Sequence, residues 1–248
     1  MSAAKKDSRV VFITGANRGI GRETARELGE LGLTVVIGAR DLAKGEAAAA
    51  ELRARGLAVE AILCDVRRPE TVRGVFDYFD KKYGRLDILI NNAAIHPGIP
   101  TANLASMIAP DLLRDIFETN FIAVVALTQA LLPLLRKAPS GRILNLSSIV
   151  GSLTMQTRPN SPIEDAKDLG YNASKTALNA FTIHLAHELR ETSIKVFSVD
   201  PGWVKTSMGG PRATLEVSAG GQSSAQVAML PDDVPSGGFF RGAEAIPW

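Results

Sequence analysis

Only one cysteine, Cys64, stands in the 248 residues, so no disulfide can close within the chain and a reducing cytoplasm is the expected setting. Charge of one sign is also scarce. The formal net charge is +2 and the basic residues are scattered, which argues against a nucleic-acid partner. Histidines number three, and two of them, His184 and His187, precede Glu188 as His-x-x-His-Glu, an order unlike the His-Glu-x-x-His of zinc hydrolases. No metal is expected. Residues 1–8 lack the apolar core of a signal peptide and read as a flexible lead-in. The longest apolar stretch, Phe121 to Leu135, is interrupted by Thr128, Gln129 and Pro133 and is too short to cross a bilayer, so a buried helix and no membrane partner are expected.

What is present suits one α/β domain over residues 9–248: 46% of residues are apolar and 22% charged, enough to bury a sizeable core. Val10 to Ile13 is a continuous apolar run of the kind found in a parallel strand covered on both faces. A glycine-rich turn follows, Gly15-Ala16-Asn17-Arg18-Gly19-Ile20-Gly21, and then a helical pattern from Arg22 to Leu31. Strand, glycine turn and helix in this order let a pyrophosphate approach the backbone and meet the positive end of the helix. The turn is therefore the first candidate nucleotide site.

The second strand, Thr34 to Ala39, ends at Arg40 and Asp41, where an adenosine ribose would lie. An acid there would bind the ribose hydroxyls of NAD, whereas arginine makes bidentate contacts with the 2′-phosphate of NADP. Arg40 comes first and Arg18 adds a second cation, so NADP(H) is the expected cofactor; the plainer alternative is a solvated Arg40/Asp41 pair with Asp41 capping the next helix. A helix from Leu42 to Arg55, a third strand from Ala58 to Leu63, a helix from Pro69 to Tyr83 and a strand from Leu86 to Ile90 continue the alternation, which predicts a doubly wound Rossmann-type parallel sheet of about seven strands. Asp65 and Val66, after the third strand, stand where an adenine ring would be received. Asn91-Asn92-Ala93-Ala94 leaves the fourth strand on the edge where ligands bind.

A long helix is expected from Pro110 to Lys137, with Asn120 inside its apolar stretch, where an amide needs a partner. The fifth strand, Arg142 to Leu146, ends in Ser147-Ser148, and a polar loop leads to Tyr171 and a helix running to about Arg190. A sixth strand, Ile194 to Val199, precedes Asp200-Pro201-Gly202. Residues 209–221 read as mobile, a helix is expected over Gln222 to Leu230, and a short last strand over Gly238 to Phe240.

Tyr171 and Lys175 are four residues apart and share a helix face. A tyrosine phenol, with a pKa of about 10, is a poor acid or base at neutral pH, and a cation at about 4 Å favours its ionised form by roughly 4 kcal/mol. Such a pair arises by chance in about one chain in eight of this composition, so its meaning rests on the rest of the sequence.

With the glycine turn, the Asn-Asn-Ala-Ala exit, Asn120, Ser148, Tyr171/Lys175 and Pro201-Gly202 in this order, the chain resembles the short-chain dehydrogenase/reductase family over about residues 9–242. Ala39-Arg40-Asp41, the proline-rich tail and the enlarged loop before Tyr171 are most similar to its carbonyl reductases. The chain departs from the family at Ala94, where glycine is usual. The resemblance implies that Tyr171 protonates the oxygen of a small-molecule carbonyl substrate as hydride is delivered, that Lys175 lowers the tyrosine's pKa and holds the nicotinamide ribose, that Ser148 rather than Ser147 binds the substrate oxygen, and that Asn120 positions a water beside Lys175. It further implies that Thr206 lies near the nicotinamide carboxamide and that Gly15, Asn17, Arg18, Gly19, Ile20, Gly21, Arg40, Asp65, Val66, Asn91, Ala93, Tyr171, Lys175, Pro201, Gly202 and Val204 contact the cofactor. Two other readings share these residues: an alcohol or steroid dehydrogenase acting in oxidation with NAD(P), and a catalytically silent NADP-binding sensor. The substrate loops would be about 95–109, 149–170 and 203–221. Twenty-two residues separate Ser148 from Tyr171, more than most family members carry, and the resemblance to carbonyl reductases, in which a larger insert here covers the pairing helices, implies a monomer.

Overall fold

Val10–Thr14 (β1) is buried at all five positions because helices cover both faces of the sheet. Val11 and Ile13 point to one core layer and Val10 and Phe12 to the other. The computed structural model describes residues 8–96 and 104–248. Residues 1–7 of the lead-in (1–8) and 97–103 of the first substrate loop (about 95–109) lie outside the described residues.

Around β1 the chain winds through α1 (Gly19–Glu30), β2 (Thr34–Ala39), α2 (Leu42–Ala54), β3 (Val59–Leu63), α3 (Pro69–Tyr83) and β4 (Ile88–Asn91). It continues through α4 (Pro110–Phe117), α5 (Ala123–Leu135), β5 (Arg142–Leu146), α6 (Leu153–Thr157), α7 (Leu169–Glu188), β6 (Lys195–Val199), α8 (Val217–Ala228), β7 (Phe239–Arg241) and β8 (Glu244–Ala245). The sheet order is β3-β2-β1-β4-β5-β6-β7-β8, parallel from β3 to β7. The eighth strand, one beyond the expected seven, is a two-residue antiparallel return of the tail onto β7. Strand order reverses between β1 and β4, which places a crevice at their C-terminal ends.

One layer of the core joins Ala25 and Leu28 of α1, Ala49 and Leu52 of α2, and Val227 of α8 to the sheet. The other joins Phe79 of α3, Leu127 and Leu131 of α5, and Leu185 of α7 to the opposite face. There Phe12 meets Phe79 edge to face at 5.5 Å.

The region after β4 departs most from expectation. Pro110–Leu135 is one helical run of 26 residues, long and apolar enough by length and composition to cross a membrane, which corrects the shorter estimate from Phe121. Half of its apolar window is buried inside the fold, as expected of a core helix. The run is interrupted by a π-turn at Glu118–Ile122 that contains Asn120. The loop before Tyr171 is also more ordered than a polar linker: it holds a 3-10 turn, Ile149–Gly151, and α6, and it docks on the C-terminal tail through Thr154 N–H to Trp248 O (2.9 Å) and Ser152 Oγ to Pro247 O (2.6 Å). Helix α8 begins at Val217, inside the segment expected to be mobile. Its small residues are the cause: a side chain at Gly221 would come within 2.5 Å of Glu23 Cβ, so only glycine lets α8 pack directly on α1.

Candidate active site

The glycine turn is shaped by two left-handed residues, Gly15 at φ 64° and Gly19 at φ 58°. Gly21 has a different reason. A β-carbon there would fall 2.5 Å from Nδ2 of Asn92 and 2.9 Å from Cα of Ala16, so the residue must be glycine for α1 to begin where it does. Asn92 holds the turn by donating to Thr14 O (2.7 Å) and Gly15 O (3.2 Å), while Thr14 Oγ1 accepts the N–H groups of Asn92 (3.0 Å) and Ala93 (2.9 Å). Gly21→Ala is therefore expected to destabilise the protein by about 1–3 kcal/mol, read as a fall in Tm, with loss of nucleotide binding.

Thr206 reaches the same turn from the far side of the crevice: its Cγ2 would lie 3.5 Å from a β-carbon on Gly19. It is held there by a loop in which Gly202 has φ 82°, Val204 bridges Leu215, and Thr206 Oγ1 accepts Gly209 N–H at 3.0 Å. Pro201, buried, and Ile20, half-buried, complete this wall. Trp203 is half exposed and its indole donates to Gly209 O at 2.9 Å, so it staples its own loop.

At the end of β2, Arg40 is exposed, as is Arg18 in the glycine turn, beside half-buried Asn17; neither arginine forms an ion pair among the described residues. Asp41 is committed elsewhere. It caps α2 by accepting the N–H of Lys44 at 3.2 Å, a bond that pulls its carboxyl below the usual range. Asp65 is half-buried and its Oδ1 accepts Arg67 N–H at 3.1 Å; Val66 packs at the edge of the core. Asn91 behaves differently from its neighbour: its side chain turns inward, donating to Thr128 Oγ1 (3.0 Å) and Asn145 Oδ1 (2.8 Å), so a cofactor would meet only its main chain. Cys64 is buried, and burial first, then the charge of Asp65, pushes its thiol up to about 12, which leaves it an inert core side chain.

Tyr171 lies in the first turn of α7 and Lys175 one turn later. Lys175 is 3% exposed; its Nζ donates to Leu146 O at 2.7 Å and stands 5.4 Å from the centre of the Tyr171 ring. Ser148 is brought to the same turn by Gly151, where a β-carbon would fall 2.8 Å from the main-chain carbon of Lys175. Ser148 is half-buried and only weakly engaged, accepting Val150 N–H at 3.4 Å, whereas Ser147 is buried and donates to Lys175 O at 3.4 Å. Asn120, in the π-turn, spends its whole side chain on structure: Oδ1 accepts Ile95 N–H (2.8 Å), and Nδ2 donates to Ile95 O (2.9 Å) and Ser174 Oγ (3.1 Å).

The electrostatic balance on Tyr171 runs opposite to the expected direction. Burial, then the carboxylates of Asp200 and Asp168, push its phenol well above the ordinary range. Burial also pulls the Lys175 ammonium down to about 8. Lys175 turns its charge toward the Leu146 carbonyl, and burial, with the two acids behind it, sets the direction. In this form Tyr171 is protonated at neutral pH, and its raised pKa makes it a weaker acid than a free tyrosine. Asp200 is buried, paired with the Arg241 guanidinium, and was not anticipated as part of this site. Nor were Asn92, His96 and Asp168. The doublet at Asn91-Asn92 offered a signal; His96 and Asp168, 72 positions apart, offered none.

Two more features lie outside this cluster. His184 and Glu188 line a groove of about 430 Å³ between α5 and α7 with Phe121, Val125 and Phe181. The enlarged loop contributes no residue to its lining and bonds to the C-terminal tail through Ser152. Met155 borders a second groove of about 200 Å³ with Ile149, Arg158 and Arg241.

A doubly wound sheet with a glycine turn after β1 and hydroxyl, phenol and ammonium groups gathered beyond β5 defines a dinucleotide-dependent oxidoreductase. The model of the short chain dehydrogenase family matches residues 9–216. The chain is 31% identical over 280 aligned positions to carbonyl reductase (NADPH) 1 of Sus scrofa, covering 98% of this chain and 95% of that protein. Among solved structures it is similar to the carbonyl reductase Sniffer of D. melanogaster (TM-score 0.81, 29% identity, 97% and 100% coverage) and to an NADPH-bound carbonyl reductase from chicken fatty liver (TM-score 0.83, 27% identity, 97% and 99% coverage). The chain belongs to the short-chain dehydrogenase family.

Proposed function

We propose that this protein is an NADPH-dependent reductase of aldehydes and ketones, with Tyr171 as proton donor. The observation that carries the reading is the gathering of the Tyr171 phenol, the buried Lys175 ammonium one turn later and the weakly engaged Ser148 hydroxyl beyond β5. Reduction needs a neutral phenol at the start and oxidation needs a phenolate. The reductive reading is supported by the exposed Arg18 and Arg40 guanidinium groups, which suit NADPH, and by the similarity to NADPH carbonyl reductases.

The residues suit the cofactor. Backbone N–H groups of the glycine turn and the start of α1 would receive its pyrophosphate. The free guanidinium groups of Arg18 and Arg40 would receive the 2′-phosphate, while Asp41, the acid an NAD ribose would need, is already used as a helix cap. When bound, NADPH supplies the hydride. Tyr171 then gives its proton to the substrate oxygen and the Ser148 hydroxyl donates to the same atom, so that two donors meet the charge that develops there. Lys175 stabilises the phenolate left behind. Asn120, its side chain fully engaged, would hold a water only through its main chain in the π-turn. Buried, unpaired Cys64 is in keeping with a reducing cytoplasm.

The direct test is loss of NADPH absorbance over a panel of carbonyl compounds, with Tyr171→Phe as control; full activity in that variant sinks the assignment. Arg40→Ala is expected to weaken NADPH binding by about 10- to 100-fold, the size of a lost charge-assisted pair, with little change for NADH. Equal losses for the two cofactors in a fluorescence titration would show that Arg40 does not read the phosphate.

A further inference from the structure

Asp168 has two partners. Its Oδ1 accepts the N–H of Tyr171 at 3.0 Å, capping α7, and its Oδ2 lies 2.9 Å from Nε2 of His96. The His96 ring stands edge-on to the ring of Tyr171, with centroids 4.9 Å apart and planes at 82°. His96 and Asp168 are 26% and 19% exposed, so the contact is largely shielded.

His96 is itself held. It follows Ile95, whose N–H and C=O are both taken by Asn120, and Asn120 also donates to Ser174 Oγ, which donates to the carbonyl of Tyr171 at 2.7 Å. A closed circuit thus runs from the π-turn through Ile95 and His96 to Asp168, enters the first turn of α7, and returns through Ser174. The Tyr171 side chain stands inside it. Its main chain is fixed from both sides, and the orientation of its ring is set along one edge by the imidazole.

We propose that His96, anchored by Asp168, is a positioning residue for the Tyr171-dependent step, holding the phenol ring in the orientation from which it donates its proton. The inference rests on the reading of Tyr171 as proton donor. A half-buried tyrosine without a wall along its edge reaches other rotamers, and a displacement of about 1 Å at a reacting group can cost up to about 100-fold in rate. A bond that merely stapled two loops would affect Tm and leave turnover per folded molecule alone.

The experiment compares His96→Ala, His96→Gln, Asp168→Asn and the double variant His96→Ala/Asp168→Asn with Tyr171→Phe as control. His96→Ala is expected to lower kcat about tenfold, the limit of an edge-on aromatic contact, with Kd for NADPH and KM for the carbonyl within about twofold. His96→Gln keeps an N–H for Asp168 and a flat group beside the ring and should recover most of the rate. The double variant should be no slower than the slower single, because the two residues act as one unit. In the cofactor-free protein, the NMR signals of the Tyr171 ring, identified by their absence in Tyr171→Phe, should shift and broaden in His96→Ala. Unchanged kcat in folded His96→Ala, no recovery with glutamine, additive losses, or unaltered ring signals would each overturn the proposal. If His96→Ala does not fold, the glutamine and Asp168→Asn variants decide it by the same readings. An inactive Tyr171→Phe beside a fully active His96→Ala removes this inference alone; an active Tyr171→Phe removes the functional reading with it.

Discussion

Tyr171→Phe should reduce turnover of carbonyl substrates by about 10³-fold, within the range that a positioned general acid supplies, while leaving the fold and the affinity for NADPH in place. Only the hydroxyl is removed. The ring keeps the His96 edge at 4.9 Å and the Lys175 ammonium at 5.4 Å from its centre, and the helix cap uses the main-chain N–H of residue 171, which phenylalanine also carries. The loss should fall on kcat, because the hydroxyl acts on charge that builds up only as the carbonyl is reduced. Its size also measures what remains: with Ser148 still donating to the oxygen, some activity above background should persist, and Ser148→Ala in the same background should remove it. A Tyr171→Phe variant with unchanged kcat in a steady-state NADPH assay would rule out this residue as the donor.

The two levels of the molecule were not equally legible. Strands such as Thr34–Ala39 could be read to the residue because a run buried on both faces leaves a near-continuous apolar signal, Val35-Val36-Ile37, ahead of the turn residues. The glycine turn and Tyr171/Lys175 were legible for a similar reason: each is a local pattern whose chemistry depends on spacing along one element. Asn120 lay in between. An amide inside an apolar helix signalled that something accepts it, but the partner, the main chain of Ile95, is 25 residues away, and the π-turn that aims the amide there has no sequence signature. The charge balance on Tyr171 was not legible at all. It depends first on burial, then on Asp200, at the end of another strand, and on Asp168, three residues before the tyrosine in the polar loop. Helix α8 was placed late because its first turns are rich in glycine and serine, which propensity assigns to loops; packing against α1 outweighs that preference.

Lys175→Met is expected to separate activity from stability, cutting turnover by about 100-fold or more while Tm at pH 7 stays level or rises by several degrees. Lys175 is 3% exposed and has no carboxylate partner among the described residues; its polar contact is the Leu146 carbonyl. Burial lowers its pKa from 10.5 to about 8, so the folded chain below pH 8 carries a desolvated cation at a cost of about 3 kcal/mol relative to the unfolded chain. Between pH 8 and 10.5 the unfolded chain binds more protons than the folded one, and stability from this group rises with pH until both states are neutral. Methionine has similar length and no charge. It removes the penalty and forfeits one hydrogen bond, worth about 1–3 kcal/mol including the carbonyl left unpaired. The Tm advantage of Lys175→Met over the native chain should therefore be largest near neutral pH and shrink as pH approaches 10.5. Thermal melts of the two proteins at pH 7 and pH 9.5 test this. A variant destabilised by several kcal/mol to the same extent at both values would make the buried ammonium a structural prop. The expected pattern instead marks a charge that costs stability and is retained for what it does to the phenol one turn away.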